Sequence, residues 1–350
     1  MTMAVPALLS LAVSAMVALA VAAVVAAILT GRIIPWLRRR AILDFPNQRS
    51  SHSAPTPRGG GIAVIAVIAG AWLAVAASGV AVPGPIALVL AAALGLALVS
   101  WRDDVAGLSA SVRILAQGGA VMTALALGAL PVSLAPLPAA LAIAAMVLIW
   151  LWFINLFNFM DGIDGIAGVE AAAIGIGVAL VAFAADLGAG PVLLGAAMAG
   201  AAIGFLRHNW HPARLFLGDV GSVPLGFLLA WLLLDLAMRG LWPAALILPG
   251  YFLADASLTL IQRALRKEKL FQAHRRHFYQ RAVAGGLSHA RVSIMVGLLD
   301  LWLIVLAVVS GRGPAAALAA LVAALVSIAA LLCYFGRAAK TRGSDHPDRA

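Results

Sequence analysis

Cysteine is nearly missing: Cys333 is the single one among 350 residues. It stands inside an apolar run, so no intrachain disulfide can form and no redox framework exists. Charge is scarce too. Charged types make up 11% and hydrophobic types 63% of the chain, and mean hydropathy is +1.03. A soluble domain carries about 25% charge and about 45–50% apolar residues, so a water-soluble enzyme is excluded. Acidic residues number 14 against 24 Lys and Arg, a net charge of +10. The basic residues are scattered through short loops between apolar segments, which excludes a nucleic-acid-binding face. No charged linker is long enough to separate two domains, and no repeat recurs at fixed period.

What the chain does have is long apolar runs. A membrane span needs about 20 such residues. Eleven segments qualify, at about 4–30, 61–79, 84–101, 114–131, 137–156, 168–185, 190–206, 223–238, 243–262, 292–310 and 314–335. The first is too long for a signal-peptide core and lacks a basic leader, so it reads as a retained helix. The expectation is an all-α, polytopic integral membrane protein, with one domain over residues 1–350 and about 11 transmembrane helices. Eleven spans sort the connections into two sets. One contains 31–60, 102–113, 157–167, 207–222, 263–291 and the tail 336–350, and holds 22 of the 24 Lys and Arg. The other holds Arg239 and Arg312. Basic residues are retained in the cytoplasm during insertion, which puts the first set and the C-terminus there and the N-terminus opposite.

Chemistry concentrates in that basic set. The segment WRDDVAGLSASVR carries adjacent Asp103 and Asp104. Two carboxylates about 4 Å apart repel by about 4 kcal/mol at an effective dielectric of 20, so the pair needs a cation or a proton. Arg102 and Arg113 can also neutralise it as a plain acidic turn. The segment NLFNFMDGIDGIAG repeats Asn155, Asn158, Asp161 and Asp164 at a spacing of three. On a regular helix each such step falls about 60° short of a full turn. A tighter or broken turn, which Gly162, Gly165 and Gly168 permit, would keep the four together. Carboxylates at a membrane edge mark function by default. In LFLGDVGS, Asp219 sits among glycines that let backbone approach a phosphate, while the same turn reads equally well as an N-cap. The segment QAHRRHFYQR places His274 and His277 three apart, on one face of a helical turn. The neighbours Arg275, Arg276 and Arg281 would repel a metal and attract phosphates. In the first loop Arg49, His52 and Arg58 are anion-binding candidates, and an ordered surface loop accounts for any one of them as well. Five carboxylates on one face, opposed by a basic loop, predict phosphoryl-group chemistry on a membrane-embedded substrate.

The ordered set DD, NxxNFMDGIDG, GDVGS and HxxH resembles the polyprenyl-phosphate N-acetylhexosamine-1-phosphate transferases, glycosyltransferase family 4, over nearly the whole chain. The resemblance implies transfer of an N-acetylhexosamine 1-phosphate from a UDP-sugar to undecaprenyl phosphate, with release of UMP. It implies Mg²⁺ or Mn²⁺, the bilayer and, as an expected assembly, a homodimer in the bacterial inner membrane. By position, Asp219 matches the principal metal ligand, with Asp104 a second. Asp103 matches the base acting on the lipid phosphate. Asp161 and Asp164 match a nucleotide-side acidic pair, with Asn155, Asn158 and Arg58 as further substrate contacts. His274, Arg275 and His277 match a donor-diphosphate site, and Asp255 reads as structural. The muramoyl-pentapeptide branch carries three adjacent histidines where this chain has HRRH. The segment RSSHSAPTPRGGG resembles the branch that initiates O-antigen and related surface polysaccharides. Two alternatives stand beside this reading: a phospho-N-acetylmuramoyl-pentapeptide transferase, and a lipid-phosphate carrier or flippase without chemistry.

Overall fold

A computed structural model describes residues 5–45, 55–81, 83–131, 138–269 and 274–341. Arg49 and His52 lie outside the described residues. The chain is nearly all helical: α1 Val5–Arg39, α2 Gly61–Ala77, α3 Pro83–Ala106, α4 Ala110–Ala126, α5 Ala139–Met160, α6 Ile166–Ala184, α7 Ala189–Asn209, α8 Asp219–Leu236, α9 Trp242–Ile247, α10 Gly250–Leu265, α11 Phe278–Ala284, α12 His289–Ser310 and α13 Pro314–Thr341. Eight helical runs among the described residues are long and apolar enough to cross a membrane. The protein is a multi-pass membrane protein. Large apolar side chains such as Leu9, Met16, Leu98, Leu148 and Leu325 are exposed along these helices, as lipid-facing surface requires.

Helices α2 and α4 are apolar but shorter than these eight. The segment expected as one span over 243–262 is two helices. Pro249, between them, offers no N–H to continue the ladder. Helix α10 is two-sided: Asp255, Thr259 and Arg263 are buried on one stripe, while Leu258, Ile261 and Leu265 are exposed. Elsewhere helices overrun the apolar limits. Helix α1 continues to Arg39 and α3 to Ala106, because backbone hydrogen bonding outlasts the hydrophobic stretch.

Helix α8 is the hub. It is buried at nearly every position from Val220 to Leu236. Trp150 on α5 stacks on Phe227 at 4.8 Å and donates from its indole N–H to the Phe227 carbonyl (3.0 Å). The start of α8 abuts the start of α2. A Cβ on Gly61 would overlap the Gly221 backbone, so both positions need glycine for this approach.

A short backbone zip departs from the all-α expectation. Strands β1 (Leu43–Asp44) and β2 (Thr56–Pro57) pair antiparallel, and Arg58 bridges in parallel to Phe216. The Phe216 N–H donates to the Pro57 carbonyl (2.8 Å), and the Gly60 N–H returns to Phe216 (2.9 Å). The first loop is thereby fastened to the chain entering Asp219.

Candidate active site

Five segments of the basic set meet at one end of the bundle. Helix α3 delivers Asp103 and Asp104 in its last turn, and α8 presents Asp219 in its first. Asp104 is the anchor. Its carboxylate accepts the backbone N–H groups of Asp219 (3.1 Å) and Val220 (2.9 Å), and it is fully buried. It therefore caps α8 from another helix, at the end where the helix dipole favours an anion. In the turn that also read as an N-cap, Gly218 holds the cap position and Asp219 is the first residue of the helix.

Arg58 closes the cluster. Its guanidinium lies 2.7 Å from Asp104 Oδ1 and 2.8 Å from Asp219 Oδ1. Burial alone would lower the Arg58 pKa, but Asp219 and Asp104 outweigh it and hold the pKa above its ordinary value. Arg113 pairs with Asp103 (3.3 Å) and approaches Asp219 Oδ2 (3.9 Å). The Leu108 N–H also donates to Asp103 (2.6 Å).

Helix α5 carries the next pair. Asn158 donates from Nδ2 to Asp219 Oδ1 (3.2 Å) and to Ser222 Oγ (2.8 Å). Asn155, one helical step back, donates instead to Gln117 Oε1 on α4 (2.7 Å) and to the Leu151 carbonyl. The two Asn diverge as the 60° lag dictates. Helix α5 ends at Met160, and Asp161 occupies its C-cap. Burial pushes the Asp161 carboxyl up to about 7. The charges of Asp219, Asp104 and Asp164 add to this, and Arg58 opposes it. Asp103, Asp104, Asp161 and Asp219 face two guanidiniums, Arg58 and Arg113. When all are ionised, two negative charges are left over.

Asp164 has separate partners. Its Oδ2 lies 2.6 Å from His211 Nδ1 and 3.3 Å from His289 Nδ1, and accepts the Ala213 N–H (3.2 Å). Burial would raise this carboxyl, but the hydrogen bonds from His289 and His211 hold it below the usual range. His211, His289, Gln117 and Asn209 were not among the expected site residues. Isolated polar residues 47 and 125 positions from Asp164 carry no spacing signal.

The histidine pair corrects one expectation. His274 precedes the helix and His277 is the N-cap of α11, so the pair does not share a helical turn. The rings still lie side by side, with centroids 4.9 Å apart. The Arg276 N–H donates to His274 Nδ1 (3.2 Å), which leaves the proton on Nε2. Burial, together with His277, Arg263 and Arg276, lowers the His274 pKa to about 4, so the ring is neutral. Arg275 is exposed beside it. Asp255 is fully buried and organises this loop. It accepts the N–H groups of Phe278 (2.9 Å) and Tyr279 (3.1 Å), and lies 3.3 Å from His277 Nδ1. The Tyr279 hydroxyl donates to the Phe159 carbonyl (3.1 Å), and a side chain on Gly162 would overlap that hydroxyl. The histidine loop is thereby packed on the Asp161 turn.

Fold and site together define a membrane protein whose polar chemistry is gathered at one end of a helical bundle. Residues 86–237 match the family model described as Glycosyl transferase family 4. The chain is 32% identical over 287 residues to a probable undecaprenyl-phosphate N-acetylglucosaminyl 1-phosphate transferase of Bacillus subtilis, covering 77% of this chain and 78% of that protein. It is 27% identical over 303 residues to a decaprenyl-phosphate N-acetylglucosaminephosphotransferase of Mycobacterium tuberculosis, covering 76% and 75%. It is also 33% identical over 274 residues to a phospho-N-acetylmuramoyl-pentapeptide-transferase of Thermosynechococcus vestitus, covering 68% of each. The chain belongs to glycosyl transferase family 4.

Proposed function

We propose that the protein transfers an N-acetylhexosamine 1-phosphate from a UDP-sugar to undecaprenyl phosphate, releasing UMP and forming a diphosphate-linked lipid sugar that initiates surface-polysaccharide synthesis. The supporting observation is the cluster of Arg58, Asp104, Asn158, Asp161 and Asp219, assembled from separate helix ends and loops at one end of the bundle. The Bacillus and Mycobacterium relatives are named for N-acetylglucosamine 1-phosphate transfer, which makes UDP-GlcNAc the first donor to test.

Mg²⁺ or Mn²⁺ fits these residues. The donors are oxygens, which suit a hard cation. Arg58 already holds a positive charge between Asp104 and Asp219. The two uncompensated negative charges and the raised Asp161 carboxyl both call for a dication. Asp219 and Asp161 would hold it, with Asp104 behind Asp219. When bound, the ion supplies charge neutralisation at the donor diphosphate.

The chain's own groups do the rest. Asp104 fixes the start of α8, and so sets where Asp219 points. Asp103, at the end of α3, takes the proton of the acceptor phosphate, while Arg113 turns from Asp103 toward that phosphate. An oxygen of the lipid phosphate attacks the sugar-bearing phosphorus in one step. The phosphoanhydride bond breaks and UMP leaves. Neutral His274 offers its Nε2–H to the donor diphosphate. Asp255 sets the orientation of His277 beside it.

The muramoyl-pentapeptide reading has a relative in its favour. The sequence His274-Arg275-Arg276-His277 lacks that branch's three adjacent histidines, so it stands second. In the carrier reading Glu170, Asp235, Asp255 and Asp300 would line a path; Glu170, Asp255 and Asp300 are buried in the packed bundle, and Asp235 pairs with Arg239. The test is purified protein with undecaprenyl phosphate, Mg²⁺ and a panel of UDP-N-acetyl sugars that includes the muramoyl-pentapeptide donor. Release of UMP with a mass-identified lipid-linked sugar is expected. Binding of lipid without UMP from any donor would leave the carrier reading.

A further inference from the structure

Glu170 on α6 and Asp300 on α12 take no part in the proposed transfer. Both lie inside membrane-spanning helices, with 0% and 1% of their surface exposed. The two helices run side by side along a tight seam. At its start Ser293 Oγ donates to the Asp164 carbonyl (2.9 Å). One turn further along α12, a Cβ on Gly297 would meet Val169 at 3.0 Å. At the next level the Glu170 and Asp300 carboxyls face each other. All four of their oxygens are buried without a hydrogen-bond partner among the described residues.

Few protonation states fit this setting. Two ionised carboxylates only accept hydrogen bonds, and they repel each other where charge is costly. One proton alone still leaves a buried anion with no cation beside it. Two neutral acids satisfy each other: each O–H donates to the other's carbonyl oxygen, and no charge remains in the bilayer core. Tyr251 on α10 is within electrostatic range of Glu170, but its hydroxyl is committed to Asp255 (3.0 Å). We propose that Glu170 and Asp300 both carry protons and bond to each other as a carboxylic-acid pair, clasping α6 to α12 within the membrane. Helix α6 follows directly on the turn that carries Asp161, and α12 follows α11 and the histidine loop. The clasp thus holds in register the two segments that bring Asp161 and His274 to the site. Glu170 and Asp300 are positioning residues, and the pair needs no ligand beyond its two protons.

The experiment reads infrared absorption of the full chain in lipid nanodiscs at about pH 8, where the Asp161 carboxyl is mostly ionised. The carbonyl stretch of a protonated carboxylic acid, shifted in D₂O, is expected in wild type. It should be lost when Glu170→Gln and Asp300→Asn are combined. Each amide change alone should keep Tm near that of wild type, because an amide both donates and accepts in the place of the acid. Glu170→Leu strands the Asp300 acid and should lower Tm, and adding Asp300→Leu should recover part of the loss. Identical infrared spectra in wild type and the double amide variant would overturn the proposal; if that variant fails to fold, Glu170→Gln alone decides the same point. A wild-type Tm that rises with Na⁺ or K⁺, and does not in Glu170→Gln, would also overturn it by placing a cation between two carboxylates. The positioning role rests on the transferase reading, and its readout is UMP release, reduced in Glu170→Leu and restored in Glu170→Gln. Equal loss in both variants would refute that role, whereas the infrared band is independent of the transferase reading.

Discussion

Asp219 is the residue on which the carboxylate cluster converges: Arg58, Arg113 and Asn158 all reach it. Asp219→Asn should leave insertion and folding intact but reduce turnover about 10²-fold or more, because a charge-assisted contact in a preorganised site is lost. Turnover measured at ordinary Mg²⁺ decides this, and near-normal rates would refute the role. Asp161 predicts a pH dependence. Its pKa in the folded protein, about 7, lies above the ordinary 3.8. Its contribution to stability is therefore present below about pH 4 and is lost as pH rises through about 7. In metal-free protein, Asp161→Asn should raise Tm at about pH 8 and leave it nearly unchanged below about pH 4. Thermal scans at the two pH values check it, and an equal shift at both would contradict the burial argument. His274 is neutral and offers one N–H. His274→Ala should cost about 10–100-fold in kcat/KM, the worth of a hydrogen bond to a charged group. His274→Gln, which keeps an N–H donor, should recover part of it.

Among the elements, the start of α8 matters most. It is capped by Asp104 from α3, touches α2 through Gly61 and Gly221, and receives Asn158 from α5. Gly221→Val should force α2 and α8 apart, at a cost of about 1–3 kcal/mol for overpacking. Activity should fall further than stability, because the shift moves Asp219 relative to Arg58. Paired measurements of Tm and turnover test this, and a variant with lowered Tm but full activity would disconnect the packing from the site. The broken α9–α10 segment has its own logic. Helix α10, which starts after Pro249, buries Asp255, Thr259 and Arg263 on one stripe, and Asp255 is what holds the start of α11.

Over the whole molecule, the described residues of the five connections 31–60, 102–113, 157–167, 207–222 and 263–291 are joined by hydrogen bonds and packing into one polar end. At the other end, Gly190 packs on Ala81. Reporter fusions after Arg58, Arg113, Arg214 and Arg281 should all report the same side, the cytoplasm, with the N-terminus opposite. A periplasmic signal from any of these four would split a site whose residues touch. The fusion proposed after Arg342 falls outside the described residues.

Hydropathy by itself determined the class. Apolar runs with few charges have no stable place but a bilayer, and the 22 of 24 basic residues on one set of loops already grouped the segments that meet. The motif carboxylates and the GDVGS turn were legible because acidic residues at a membrane edge are costly without a purpose. Which partner each side chain takes was not legible. Asn155 and Asn158 look alike in sequence, yet one ties α5 to α4 and the other reaches Asp219, because helical rotation separates them. Likewise Asp161 and Asp164 share one motif, and tertiary packing sends the first to the carboxylate cluster and the second to His211 and His289. Local pattern fixes where a residue sits on its own element. Contacts across 47 to 161 positions of chain are decided when helices pack, and no local periodicity encodes them.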